Sequence, residues 1–345
     1  MGTTNKPLLR LHFTDFGYDM SLEGSNYFLP GLRERYEVVL DPANPDYLFH
    51  SVFGTEFLDY SCTRIFYTGE NITPDFNLSD YAIGFDYLDF GERYFRLPIY
   101  QILMEEGMGR GLSPDSTVSL LSEKQKFCSF LYTNNHAAAP QREAMFRQLS
   151  EYKRVDSGGK FLNNIGGPVP GNFLDCRGWQ RGYKFGIAFE NASKPGYTTE
   201  KIFNQLVADA IPIYWGDPRI AEQFNPDRII NCHEFPDFDA VVERVRELDR
   251  DDEQYLAMVG RPWFAGEPPP SLVNNTAFWS FLDGIFAQGP ENSRRVVPFG
   301  WSKYYLRNAD KRRREQVRRE RKNLPSRLWK KTRQFLKGNF GQPRS

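Results

Sequence analysis

Short apolar runs separated by turn residues dominate the first hundred positions. Leu8 to Phe13 reads as an opening strand, Tyr36 to Leu40 as a second, Tyr47 to Phe53 as a third and Arg64 to Thr68 as a fourth. A helix-like stretch around Tyr27 to Glu34 precedes the second strand, and Asp41-Pro42 and Asn44-Pro45 mark turns. Strands alternating with helical segments predict a parallel α/β sheet. Ser113 to Lys124 is polar and reads as a weakly structured boundary.

The pattern then restarts. Phe127 to Tyr132 predicts a strand, and Gln141 to Glu151 a helix with Met145, Leu149 and Tyr152 at a helical repeat. A Gly/Asn-rich loop, Gly158 to Gly171, follows. Phe185 to Phe189, Thr199 to Ala210 and Ile211 to Trp215 compose a strand–helix–strand unit of a size the crossover allows. Ile229 to Asn231 adds a short strand and Asp239 to Leu248 a helix. Two more helical stretches run around Glu253 to Val259 and Asn275 to Phe286, and a basic helical tail follows Trp301.

The junction after Phe189 is the densest in chemistry. The apolar run ends in Glu190-Asn191, Pro195-Gly196 breaks the backbone, and a helical pattern opens near Thr199. Strand, loop and helix N-terminus in that order gather polar side chains and free backbone N–H groups, which suits a phosphate-bearing ligand. Glu200 reads either as a complement to the helix dipole or, beside Lys201 and Tyr197, as part of a nucleotide site. In the second case a carboxylate accepts ribose hydroxyls and an ammonium offsets diphosphate charge. Glu70 closes the fourth strand within Tyr67-Thr68-Gly69-Glu70-Asn71, where α/β sheets put their ligands. It reads either as a surface acid or as a general base for an acceptor hydroxyl. Arg142, opening a helix after Ala139-Pro140, is either an exposed helical arginine or a bidentate partner for a leaving diphosphate.

Other sites are missing. There is no P-loop pattern, and Gly107, Gly109 and Gly111 are spaced wrongly for a dinucleotide fingerprint. His12, His50, His136 and His233 form no zinc-protease motif and read as structural. Two Asp-x-Asp pairs raise the question of a metal-dependent transferase. Asp237-Phe238-Asp239 falls where a helix begins and reads as a cap, and Asp249-Arg250-Asp251 as solvated charge past a helix end.

Composition narrows the class. The 345 residues exceed one typical domain, and 40% hydrophobic content suffices for two cores. No run approaches the roughly 18 apolar residues of a membrane span, and Met1 to Arg10 lacks a signal-peptide h-region. Cys62, Cys128, Cys176 and Cys232 are dispersed without a Cys-x-x-Cys pair, so reduced thiols and a cytoplasmic setting are expected. The zero net charge hides an asymmetry. Residues 303–345 hold 16 Lys and Arg against 3 Asp and Glu, while the first 302 hold 28 against 41. In the tail, Leu324, Leu328, Trp329, Phe335 and Leu336 interleave with basic residues, which favours an anionic membrane surface over nucleic acid. That places the chain as a peripheral protein on the inner face of the membrane.

The Phe189-Glu-Asn191 … Tyr197-x-Thr-Glu-Lys201 segment resembles the donor signature of the α1,3/4-fucosyltransferases, glycosyltransferase family 10. Further patches resemble bacterial members in order: Tyr67-Thr-Gly-Glu-Asn71, Pro74-Asp-Phe-Asn77, Asp80 to Asp86, Arg93 to Pro98, Ala139-Pro-Gln-Arg142, Ile211 to Gly216 and Phe224-Asn-Pro226. The resemblance implies a GT-B fold, two Rossmann-like domains with the site in the cleft: acceptor domain 1–120, donor domain 121–302, and tail 303–345. It implies inverting transfer of L-fucose from GDP-fucose to a GlcNAc hydroxyl, O3 foremost, of a Gal-GlcNAc glycan, giving Lewis-type structures. Carried over, Glu70 is the catalytic base. Arg142 and Lys201 bind diphosphate, with Arg142 also catalytic; Glu200 contacts ribose; Asn191 and Tyr197 line the donor pocket. No metal site or cofactor is implied, a divalent cation being at most a non-essential stimulant. Relatives' heptad repeats have no counterpart here. The alternatives are a GT-B transferase for another nucleotide sugar, or a non-catalytic binder of membrane or nucleic acid.

Overall fold

A computed structural model describes residues 6–171 and 176–323. The first sheet comprises β1 (Leu8–Thr14), β2 (Glu37–Leu40), β3 (Tyr47–His50), β4 (Thr63–Tyr67), β5 (Tyr81–Gly84) and β6 (Tyr94–Arg96). Its strands are all parallel in the order β2-β1-β3-β4-β5-β6. The second sheet comprises β7 (Lys126–Phe130), β8 (Val155–Ser157), β9 (Tyr183–Phe189), β10 (Ile211–Trp215) and β11 (Ile230–Asn231), again all parallel, in the order β11-β10-β9-β7-β8. Counted within each domain, both sheets begin 2-1-3-4-5. Each therefore has one switch point, between β1 and β3 in the first and between β7 and β9 in the second, where successive connections leave toward opposite sides.

Burial explains the strand compositions. Every residue of β3, β4, β5 and β9 is buried, as expected of central strands covered on both faces, while the edge strand β2 alternates between exposed and half-buried positions. The helices are α1 (Leu29–Arg35), α2 (Ile99–Ile102), α3 (Pro114–Glu123), α4 (Gln141–Tyr152), α5 (Arg177–Gln180), α6 (Glu200–Val207), α7 (Phe238–Arg250), α8 (Asp252–Val259), α9 (Thr276–Ala287), α10 (Gly289–Asn292) and α11 (Gly300–Asn323). Several begin where side-chain chemistry demands. Ser113, Thr199, Asp237, Asp251 and Asn275 each accept a backbone N–H of the first turn.

Two sequence expectations change. Ser113 to Lys124 is no loose boundary: Ser113 caps α3, and Leu120 enters the core of the second domain. The polar faces of this short helix concealed its single buried stripe. The donor domain also does not run continuously from 121 to 302. Phe278, Trp279, Leu282, Ile285 and Phe286 of α9 bury themselves in the core of the first domain, each fully buried ring or branched chain contributing about 1.5–3 kcal/mol. Tyr36 donates to Asp283 at 2.7 Å, and both Arg295 and Val296 donate their backbone N–H to Asp80 at 2.6 Å. The chain thus crosses back, so the N-terminal domain comprises the first sheet plus the returning segment. The β5 and β6 strands are not legible in the sequence, because Tyr81–Gly84 and Tyr94–Arg96 are too short to display a period.

Polar contacts join the domains beside the cleft. Tyr87 donates to Asp217 at 3.1 Å and lies between the guanidinium groups of Arg96 and Arg219, 4.2 and 4.0 Å from its ring centre. Gln223 of the second domain meets Tyr87 of the first and Tyr100 of α2, which packs among second-domain residues.

Candidate active site

The switch points of the two sheets face each other across a cavity of about 440 Å³. From the first domain come Phe16, Gly17 and Tyr18 after β1, Ser51 and Phe53 after β3, and Tyr67, Gly69 and Glu70 at the end of β4. From the second come Asn191 and Tyr197 after β9 and Glu200 and Lys201 in the first turn of α6. One wall is thus aromatic and the opposite wall ionic. The loop from Asp15 to Asn26 supplies Phe16 and Tyr18 to the aromatic wall. Leu88 to Arg96 supplies no lining residue; its Arg96 belongs to the interdomain contact instead.

Glu70 is half-buried, and its backbone N–H is held by the Thr68 hydroxyl at 3.1 Å. No lysine or arginine pairs with its carboxylate among the described residues, and Glu70 lines the cavity without a counter-charge. Tyr197 is buried, its ring 5.0 Å from that of Phe85, and burial pushes its phenol far above the ordinary range. The loop carrying it is shaped by Gly196, whose φ is +84°. A Cβ there would lie 2.3 Å from the Phe85 carbonyl oxygen. Lys194 in the same loop reaches Asp86 at 3.2 Å and Thr73 at 2.6 Å, fastening the donor-side loop to the first domain.

Behind the wall lies a residue that was not singled out from the sequence, Glu190. It is fully buried and accepts from the Thr199 backbone N–H at 2.8 Å and from the Thr199 hydroxyl at 3.0 and 2.8 Å. The Lys201 ammonium sits 3.3 Å from Glu190, 3.0 Å from Glu200 and 3.0 Å from the Thr199 hydroxyl. Burial raises the Glu190 carboxyl, with Lys201 opposing. Burial is again the largest influence and acts the same way on Glu200, but the adjacent Lys201 charge together with hydrogen bonds from Lys201, the local backbone and Thr199 outweighs it, and that carboxyl ends below the ordinary value. Burial would lower Lys201, yet the two carboxylates hold it well above its usual range. One lysine thus binds two acids and fixes the start of α6. An acid standing directly after the apolar run Phe185–Phe189 is the signal in the sequence for Glu190, since a buried carboxylate demands partners. Gly216 accommodates it: a Cβ there would lie 2.5 Å from the Glu190 Cγ.

Arg142 does not line the cavity. It is buried to 1% exposure behind Asn191, donating to Asn191 Oδ1 at 2.7 Å, the Phe189 carbonyl at 3.0 Å and the Asn134 carbonyl at 3.4 Å, with its guanidinium 4.1 Å from the Tyr132 ring centre. All these partners are neutral, and Nε has none. The structure therefore brings Glu70, Asn191, Tyr197, Glu200 and Lys201 to one cavity and sets Arg142 one layer behind it. Asp237 caps α7, donated to by the Ala240 N–H at 2.9 Å. Asp249 is not solvated as expected but nearly buried, with Lys153 at 2.9 Å and Tyr152 donating at 2.9 Å. Neither Asp-x-Asp pair belongs to a three-ligand metal cluster among the described residues.

Two Rossmann-like domains meeting at facing switch points define the GT-B architecture. Sequence comparison agrees. Residues 11–103 match the alpha-(1,3)-fucosyltransferase FucT N-terminal domain, and residues 121–260 match the glycosyltransferase family 10 (fucosyltransferase) C-terminal domain. The chain is 34% identical over 272 residues to an alpha-(1,3)-fucosyltransferase FucT of Helicobacter pylori, across 68% of this chain and 55% of that protein. It is 27% identical to a putative fucosyltransferase of Acanthamoeba polyphaga mimivirus, across 69% and 38%. The chain thus spans about half the length, or less, of these curated relatives. A crystal structure of an alpha1,3-fucosyltransferase with GDP-fucose superposes with a TM-score of 0.64 at 28% identity, covering 82% of this chain and 92% of the other. The chain belongs to glycosyltransferase family 10, the fucosyltransferases.

Proposed function

We propose that this protein transfers L-fucose from GDP-fucose to O3 of GlcNAc in a Gal-GlcNAc glycan, with inversion, to give Lewis-type structures. The observation that carries this reading is the interdomain cavity with a carboxylate that has no cationic partner among the described residues, Glu70, on one wall and Asn191, Tyr197, Glu200 and Lys201 on the other. Single displacement requires one base and a stabilised leaving group, with no second nucleophilic carboxylate. Glu70 takes the proton of the attacking hydroxyl, the new C–O bond forms on the face opposite the phosphate, and GDP departs with the electron pair. Lys201 offsets charge beside the diphosphate, Arg142 supports it from behind Asn191, and Glu200 accepts the ribose hydroxyls. The aromatic wall of Phe16, Tyr18, Phe53 and Tyr67 suits the apolar faces of an acceptor sugar.

The test is purified protein with GDP-fucose and N-acetyllactosamine, read by GDP release and by NMR of the product. GDP release that depends on acceptor, and an α1,3 linkage to GlcNAc, are expected. Acceptor-independent release without product, or faster turnover of another nucleotide sugar, would sink the reading.

The C-terminal segment extends the proposal to peripheral attachment at the cytoplasmic membrane face. No helix among the described residues is long and apolar enough to cross a membrane. At the start of α11, Phe299, Trp301 and Tyr304 are exposed at 75, 88 and 56% beside a strongly basic helix. Apolar rings next to cations suit an anionic lipid surface. The apolar tail residues from Leu324 to Leu336 lie outside the described residues. Full-length protein should co-sediment with anionic vesicles and not with zwitterionic ones, and Trp301→Ser should weaken that binding. Equal pelleting with both lipids would argue against it.

A further inference from the structure

We propose that α11 is a positioning strut for the aromatic wall of the cavity, acting through Arg313 and Asp59. The proposal rests on the acceptor reading of that wall and concerns how the wall is held. The helix packs on the first domain against residues that follow β3 and β4. Tyr305 donates to Asp75 at 2.7 Å, and Arg313 reaches Asp59 at 3.0 Å. Between helix and domain runs a groove of about 420 Å³, lined among others by His50, Ser51, Val52, Gly54 and Phe57. Ser51 and Phe53 of this same short segment line the catalytic cavity. Residues 51–54 are therefore a thin partition with the cavity on one side and α11 on the other.

The partition is tied to the second half of the aromatic wall through Asp15. Its carboxylate accepts the backbone N–H of Glu56 at 3.0 Å and of Phe57 at 2.9 Å, organising the short turn Glu56–Asp59 that ends at the Arg313 partner. Its carbonyl accepts the Phe53 N–H at 2.9 Å. Asp15 itself adopts φ of +61°, a left-handed conformation that a non-glycine residue keeps only where its surroundings fix it. The next three residues are Phe16, Gly17 and Tyr18 of the cavity wall, and a Cβ on Gly17 would touch the Phe53 ring at 3.5 Å. A continuous set of contacts thus runs from Arg313 to Asp59, through the Glu56–Asp59 turn to Asp15, and on to the rings at the mouth. Arg313 is only 16% exposed, with Nη1 buried and unpartnered, while Asp59 is largely exposed. The arginine is committed to this position more firmly than a surface ion pair requires. Burial raises the Asp15 carboxyl, and Arg313 is among the groups that oppose this, which places its charge within reach of the same carboxylate.

Full-length Arg313→Ala, Asp59→Ala and the swap Asp59→Arg with Arg313→Asp test the strut. Each single variant should raise the acceptor KM roughly fivefold or more, in the range typical of site-to-site coupling, and leave GDP affinity unchanged. The swap should recover most of the loss. Amide hydrogen exchange supplies a readout that needs no acceptor: exchange at Phe53, Glu56 and Phe57 should accelerate in the single variants, with β9 and α6 unaffected. Unchanged exchange at those three amides in both single variants would overturn the strut even if transfer activity is established. Accelerated exchange with no turnover of any glycan would uphold the strut and discredit the acceptor reading instead. Equal weakening of GDP binding would also overturn it, since that marks a general loss of fold.

Discussion

Glu70→Gln is expected to fold and to bind GDP-fucose like the parent, and to lose transfer by roughly 100- to 10,000-fold. The substitution keeps shape and hydrogen-bonding length and removes only the capacity to take a proton. Its setting makes this a clean test. The backbone of Glu70 is fixed by Thr68, its carboxylate has no cationic partner among the described residues, and it faces Asn191, Tyr197 and Lys201 across the cavity. No buried ion pair breaks on substitution, so stability should change by less than about 0.5 kcal/mol, as for a site without such features. Single-turnover kinetics with saturating donor, alongside a thermal melt, separate the two quantities. Near-parental turnover would remove Glu70 from the chemistry and return it to the role of a surface acid.

The parts of this architecture that were legible in the sequence are those with a strong local period or a strong local break. Ile211–Trp215 is a continuous apolar run between turns, and its bounds agree residue for residue. The α6 start was marked by Pro195-Gly196 followed by Thr199, and Thr199 is the cap. Helix α9 was also visible, but not its destination. Its apolar face looks the same whether it packs on the nearer sheet or crosses back to the first, and only long-range complementarity with Tyr36, Tyr47 and Asp80 decides. The site divides similarly. Glu70, Asn191, Tyr197, Glu200 and Lys201 stand at strand ends and loop breaks, where α/β sheets expose side chains. The aromatic wall comes from three separate connections of the first sheet, and nothing along the chain announces that Phe16, Phe53 and Tyr67 will converge. Arg142 shows the limit in the other direction. Its place at a helix start suggested an exposed or cleft-lining cation, whereas the inward face of α4 carries it beneath Asn191.

That buried position yields a sharper expectation for Arg142 than a simple loss of activity. A guanidinium at 1% exposure without a carboxylate costs several kcal/mol of desolvation, and carbonyl and amide partners offset only part of it. Under the proposed function, an anion arriving in the working state would compensate this charge. Arg142→Met fills the same volume without the charge. It should therefore melt no lower than the parent in the absence of nucleotide, yet lose the stabilisation that GDP confers, about 2.7 kcal/mol at a hundredfold excess over Kd for the parent. Transfer should fall by roughly 100- to 1,000-fold, the usual effect of deleting one preorganised donor to a developing negative charge. Lys201→Met provides the contrast. It strips Glu190 and Glu200 of their shared cation, so it should lower the melting temperature as well as slow the reaction. Paired melts with and without GDP resolve the two. If Arg142→Met melts several degrees lower and is still stabilised by GDP, Arg142 serves to hold the Phe189–Asn191 segment in place and has no part in neutralising the leaving group.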